Sequence, residues 1–122
     1  MPLTAREPRW NPTEEQFMTA VAQYARYHGW LVAHFRPARN GRSRGKRWHT
    51  PVQFDGAGFP DLVLARDGEI IFAELKSERG RLQPNQRRWI ERLASAGAQS
   101  VEVHVWRPRD WEHIQARLGR QP

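Results

Sequence analysis

The sequence predicts a small α/β domain in which a mixed β-sheet is flanked by helices, and three observations carry that prediction. Segments with apolar residues at helical spacing alternate with short apolar runs of strand length. Two of those runs are joined by Asp67-Gly68, a pair that favours the tight turn of a β-hairpin. The 122 residues, 39% hydrophobic with six Trp and five Phe, suffice for one core sheet and its helices but not for a second domain.

The elements follow in order. Residues 1–10 are rich in Pro and Arg without periodicity and are expected to form a flexible arm, leaving 11–122 as one folded domain. A first helix is predicted from Pro12 to His28. Asn11 offers a cap, Pro12 suits the first helical position and Glu14 falls at the capping-box position, while Thr13 with Gln16 offers an alternative register. Phe17, Val21, Tyr24 and His28 form its apolar stripe, and Gly29 ends it. Trp30 to Phe35 reads as a short strand, followed by a long loop without period. The hairpin comes next. With Asp67 and Gly68 as the loop residues, Arg66 pairs with Glu69, Leu64 with Ile71, Leu62 with Ala73, and Asp61 with Glu74. Pro84 starts a second helix whose stripe is Trp89, Ile90, Leu93 and Ala94, stopped by Gly97. Val101 to Trp106 is a further strand, and Pro108, Trp111, Ile114 and Leu118 mark a closing helix.

Charge narrows the function. Lys and Arg number 20 against 13 Asp and Glu, a net +7, and the pI is near 11.2. A polyanionic partner, nucleic acid above all, is therefore expected. With no Cys, disulfides, thiolate zinc sites and cysteine nucleophiles are excluded. No run has signal-peptide or membrane-spanning character, so a cytoplasmic protein with no membrane partner is expected.

The hairpin carries the chemistry. Cross-strand partners stand about 4.5–5.5 Å apart at Cβ, so Asp61 and Glu74 can aim their carboxylates at one position. Lys76, two residues beyond Glu74, shares its face. Adjacent like charges need a shared proton or a cation, and Mg²⁺ takes one or two carboxylates with waters and phosphate oxygens. A solvated Glu–Lys pair at a strand end is the competing reading of these residues.

The stretch GFPDLVLARDGEIIFAELK resembles the P-D…(D/E)-x-K signature of the PD-(D/E)xK nuclease superfamily, through Pro60-Asp61 and Glu74-Leu75-Lys76. More narrowly, with FAELKSERGRL following, the chain resembles a stand-alone VRR-NUC domain, of the kind found in small phage proteins similar to Holliday junction resolvases. The resemblance runs from about Glu14 to Trp106. It implies a restriction-endonuclease-like core and a Mg²⁺- or Mn²⁺-dependent endonuclease on DNA, with branched DNA as substrate and a homodimer presenting two sites. If phage-encoded, the protein would act in the host cytoplasm. It further implies metal ligation by Asp61, Glu74 and an acid of the first helix, Glu14 with Glu15 as the alternative, and assistance to the nucleophile by Lys76. A Gln early in the second helix corresponds to Gln86. His34 is a candidate contact to the scissile phosphate. The loop cations Arg36, Arg39, Arg42, Arg44, Lys46 and Arg47 are expected to hold phosphates, with Trp48 to stack on an unpaired base. A non-catalytic DNA-binding module with a nuclease fold, and a restriction-like or nicking nuclease on ordinary duplex, are the alternatives.

Overall fold

Thr13 and Gln16 decide where the first helix begins. The Thr13 hydroxyl accepts the Gln16 N–H and the Gln16 side-chain oxygen accepts the Thr13 N–H, both at 3.0 Å, so two otherwise orphaned donors are satisfied reciprocally. A computed structural model describes residues 10–35 and 53–121. Within them α1 (Glu14–Tyr27) starts after the expected Pro12 because the Thr13 box, not an Asn11 cap, closes its N-terminus. The remaining elements are β1 (Leu31–His34), β2 (Leu62–Arg66), β3 (Glu69–Leu75), α2 (Pro84–Ala94), β4 (Val101–Trp106) and α3 (Trp111–Gly119). Short 3-10 turns occur at Gly56–Gly58 and Pro108–Asp110. Trp10, at the end of the expected arm, packs edge-on against Phe17 and Trp111, with ring centroids 6.0 and 5.4 Å away.

The four strands form one mixed sheet in the order β1-β2-β3-β4; the first two pairings are antiparallel and the last is parallel. At the hairpin turn Asp67 has φ 43° and Gly68 φ 82°, the two positive values that the favoured two-residue turn needs. Register follows from that turn. Arg66 faces Glu69, Leu64 faces Ile71 and Leu62 faces Ala73, as the sequence predicts.

Alternation sends Leu62, Leu64, Ile71, Ala73 and Leu75 to one face, all fully buried, where they form one core with Phe17, Val21 and Ala25 of α1 and Ile114 and Leu118 of α3. Each of the Leu, Ile, Val and Phe side chains contributes roughly 1.5–3 kcal/mol by leaving water. The other face is more thinly covered. α2 packs on β4 and on the Gly56–Gly58 turn instead of crossing the centre of the sheet, so its stripe is at best half-buried and none of its residues is fully enclosed. Phe59 links these parts, its ring edge-on to those of Phe35, Phe72 and Trp89.

Two arginines hold the turn end of the sheet. Arg66 donates to the carbonyls of His28, Leu118 and Arg120, tying together the C-terminal ends of α1 and α3, and its guanidinium lies 4.4 Å from the Trp30 ring centre. Arg117 grips Glu102 through Nε and Nη2 and reaches Glu69 at 3.2 Å. The Arg117 contact, with a further hydrogen bond to His104, lowers the Glu102 carboxyl to about 2, against a smaller upward push from burial. The same pairing raises Arg117. No described helix is long and apolar enough to cross a membrane.

Candidate active site

At the end of the hairpin far from its turn, the β2–β3 ladder closes at Leu62 and Ala73, and one further step of the register brings Asp61 opposite Glu74. There a side chain replaces the main chain. The Leu75 N–H donates to Asp61 Oδ2 at 2.9 Å, which fixes the carboxylate against the strand that carries its partner acid. Asp61 is also anchored from the other side, since its carbonyl accepts the Phe35 N–H at 2.8 Å.

Asp61, Glu74 and Lys76 retain only 6%, 1% and 7% of their exposure. Ionisable side chains are this buried only when paired or put to use. Lys76 Nζ lies 3.8 Å from Glu74 Oε2, an ion pair without a short hydrogen bond. The solvated-pair reading of Glu74 and Lys76 is therefore excluded by burial.

Glu14 approaches from α1. A Cβ placed on Gly80 would lie 3.2 Å from Glu14 Oε2, 3.4 Å from Lys76 Cδ and 3.1 Å from Ser77 Oγ, so all three crowd one point beside the stem of Lys76. Glu15 is exposed, which leaves Glu14 as the first-helix acid next to this cluster. The loop between Lys76 and α2 is held by Arg107, whose Nη1 donates to the carbonyls of Ser77 at 2.8 Å, Gly80 at 2.7 Å and, more weakly, Glu78 at 3.4 Å. Arg109 adds an ion pair to Glu78 at 3.1 Å.

Not every expected residue joins the cluster. Gln86 Oε1 accepts the Gln83 N–H at 2.8 Å, so this side chain caps α2. His34 is exposed at the end of β1, opposite Leu62. The expected DNA-contacting residues Arg36, Arg39, Arg42, Arg44, Lys46, Arg47 and Trp48 lie outside the described residues. Arg107 has no signal in the sequence, because it reaches its loop across 27 to 30 residues.

The acid trio expected to hold a metal is not drawn into one shell: among the described residues no group of three acids or histidines converges as ligands. Glu14 Oε2 sits against Gly80 and the Lys76 stem, while Asp61 Oδ2 is turned to the Leu75 N–H. What remains is a pair of buried carboxylates, a hard oxygen donor set that suits Mg²⁺ or Mn²⁺ with water and phosphate oxygens completing the sphere.

A model of the VRR-NUC domain matches residues 22–107, a span that holds Asp61, Glu74 and Lys76 in their cluster. The chain belongs to the VRR-NUC family. Comparison with curated proteins and with solved structures gives no match. Membership makes this VRR-NUC chain a nuclease-type domain with DNA as its substrate, in a family that usually employs divalent metals. Glu14 lies before the matched span, and its place beside Lys76 comes from the packing of α1.

Proposed function

We propose that this VRR-NUC chain is a Mg²⁺- or Mn²⁺-dependent endonuclease that hydrolyses phosphodiester bonds in branched DNA such as four-way junctions. One observation carries the reading: Asp61, fixed by the Leu75 N–H, and the neighbouring Glu74 lie at the end of a hairpin, both more than nine-tenths buried, with the Lys76 ammonium 3.8 Å from Glu74.

Asp61 and Glu74 would hold the cation, with Glu14 as the third acid within reach of the loop that follows Lys76. When bound, such an ion supplies Lewis-acid polarisation of the phosphate and a more acidic water. The chain's own residues do the rest. The Leu75 N–H keeps Asp61 from rotating away, so the carboxylate is positioned before substrate arrives. Lys76, buried at 7% exposure, offsets the negative charge that develops on the phosphoryl oxygens, and burial strengthens that interaction relative to bulk water. The net charge of +7 supports phosphate-backbone binding, which the basic residues 36–47 would supply. Symmetric cutting of a four-way junction calls for a homodimer with two such sites.

The test is cleavage of a labelled four-way junction beside a linear duplex of matching sequence, with Mg²⁺, Mn²⁺ or EDTA, by the wild type and by Asp61→Asn. Metal-dependent cutting of the junction that vanishes in the variant while binding persists is the expected result. Equal cutting of the duplex would remove the junction preference, and binding without cutting in either metal would remove the enzyme.

A further inference from the structure

A second feature lies seven residues upstream of Asp61. A cleft of about 350 Å³ opens between the segment Phe54–Ala57 and α2, walled by Phe54, Asp55, Trp89, Arg88 and Arg92. We infer that this cleft is a subsite for an unpaired nucleotide of the DNA substrate, with Phe54 stacking on the base and Arg88 and Arg92 holding its phosphate. The inference rests on DNA being the substrate and not on cleavage.

Phe54 is the first support. Its side chain is 99% exposed, and its backbone has φ 54°, a left-handed conformation that a bulky residue rarely adopts. A strained backbone that presents an aromatic ring to solvent stabilises nothing in the free protein. A base has an apolar face for such a ring, whatever its identity.

The arginines are the second. Arg88 and Arg92 are four residues apart on α2, so they lie on one helical face one turn apart and repel each other. Both are exposed, and they outnumber the one acid of the cleft, Asp55. A phosphate between two guanidiniums removes that repulsion and is the anion that their fork geometry suits.

The cleft is also already formed. Trp89 Nε1 donates to the Asp55 carbonyl at 2.9 Å, and Gly58 fits so closely against α2 that a Cβ there would come within 2.5 Å of the Asn85 carbonyl oxygen. Phe59 then packs edge-on against Trp89 at 5.0 Å, just before Pro60 and Asp61. One tethered segment thus carries Phe54 at one end and the candidate catalytic acid at the other, at most roughly 25 Å apart along the chain. The unpaired nucleotide would therefore lie within a few nucleotides of the scissile phosphate, where flapped or tailed DNA has unpaired bases and blunt duplex has none.

The test uses the full chain in EDTA, so that binding is read without cutting. The probes are a duplex with a single-stranded tail carrying 2-aminopurine and the blunt duplex of the same sequence. Wild type is expected to quench the 2-aminopurine. Phe54→Ala is expected to lose the quench and on the order of 5- to 100-fold in affinity for the tailed DNA, while its affinity for blunt duplex and its melting temperature stay unchanged. Phe54→Tyr, which keeps the ring, should restore both. The double variant Arg88→Gln, Arg92→Gln should reduce the salt dependence of tailed-DNA binding by about 0.7 in log–log slope, the share of one phosphate on a single strand. Equal losses on tailed and blunt DNA, or no loss on either, would overturn the subsite, as would displacement of the tailed DNA by polyglutamate from the wild type but not from the double arginine variant. If the wild type shows the quench yet cuts nothing with Mg²⁺ or Mn²⁺, the subsite stands and the nuclease reading fails.

Discussion

Leu75 donates its main-chain N–H to Asp61 Oδ2 at 2.9 Å, so the carboxylate takes the place of a ladder carbonyl at the end of the hairpin. This bond gives Asp61 a structural duty separable from the metal-binding one proposed for it. Asp61→Asn keeps an acceptor oxygen, whereas Asp61→Ala leaves a buried N–H unsatisfied at a cost of about 1–3 kcal/mol. Both variants are expected to lose at least ~100-fold in cleavage rate. Only the alanine variant should melt measurably below wild type in thermal unfolding. Equal melting of the two would show that the Leu75 bond contributes nothing.

Arg107 sets the loop after Lys76 through the carbonyls of Ser77 and Gly80, and Gly80 in turn borders Glu14 Oε2. If the proposed site is correct, Arg107 acts as a positioning residue. Arg107→Ala is expected to reduce the single-turnover cleavage rate by about 10- to 100-fold while DNA affinity changes little, because a small shift of reacting groups is costly. Arg107→Lys, with a single point charge in place of a fork, should recover only part of the rate. A loss confined to affinity would instead place Arg107 on the DNA.

Gly58 is packed against the main chain of Asn85, with a hypothetical Cβ 2.5 Å from the carbonyl oxygen and 2.6 Å from its carbon. Backbone on both sides leaves no flexible side chain to yield. Gly58→Ala should therefore push α2 away from the 3-10 turn and destabilise the domain by about 1–3 kcal/mol. Calorimetric melting and the fluorescence of Trp89 would read the shift, and an unchanged melting temperature would contradict this close contact.

Glu102 gives the pH dependence. Its carboxyl is lowered from 4.5 to about 2, chiefly by the Arg117 hydrogen bonds. The folded state therefore favours the charged form, and the stabilisation is fully present above 4.5 and lost as pH falls toward 2. With the Glu102 side chain 35% exposed the pair is partly screened, so the effect should be modest and should weaken in high salt. Relative to wild type, Glu102→Gln should melt lower at neutral pH, with the gap narrowing as the pH falls through that window. A gap independent of pH would mean that the variant acts through packing.

Secondary structure and hairpin register were legible in the sequence because they depend on neighbours. Asp67-Gly68 fixes the turn, the turn fixes the pairing, and strict alternation then places Asp61 opposite Glu74 and Lys76 on the same face as Glu74. The start of α1 was legible only as two alternatives, and the reciprocal Thr13–Gln16 bonds chose between them. Gln86 shows the same limit: helical spacing gives the face of a residue, and the nearby Gln83 N–H takes its Oε1 as a cap.

By itself the sequence determined the elements, the turn and the acid pair, all set by contacts within a helix or across a two-residue loop. Tertiary structure decided the rest. Glu14 beside Lys76, Arg107 on the carbonyls of the 77–80 loop, Arg66 across the ends of two helices and Trp89 on the Asp55 carbonyl join residues remote in sequence. Such contacts follow from how whole elements pack, and no local spacing encodes the distance between two elements until the core between them is filled.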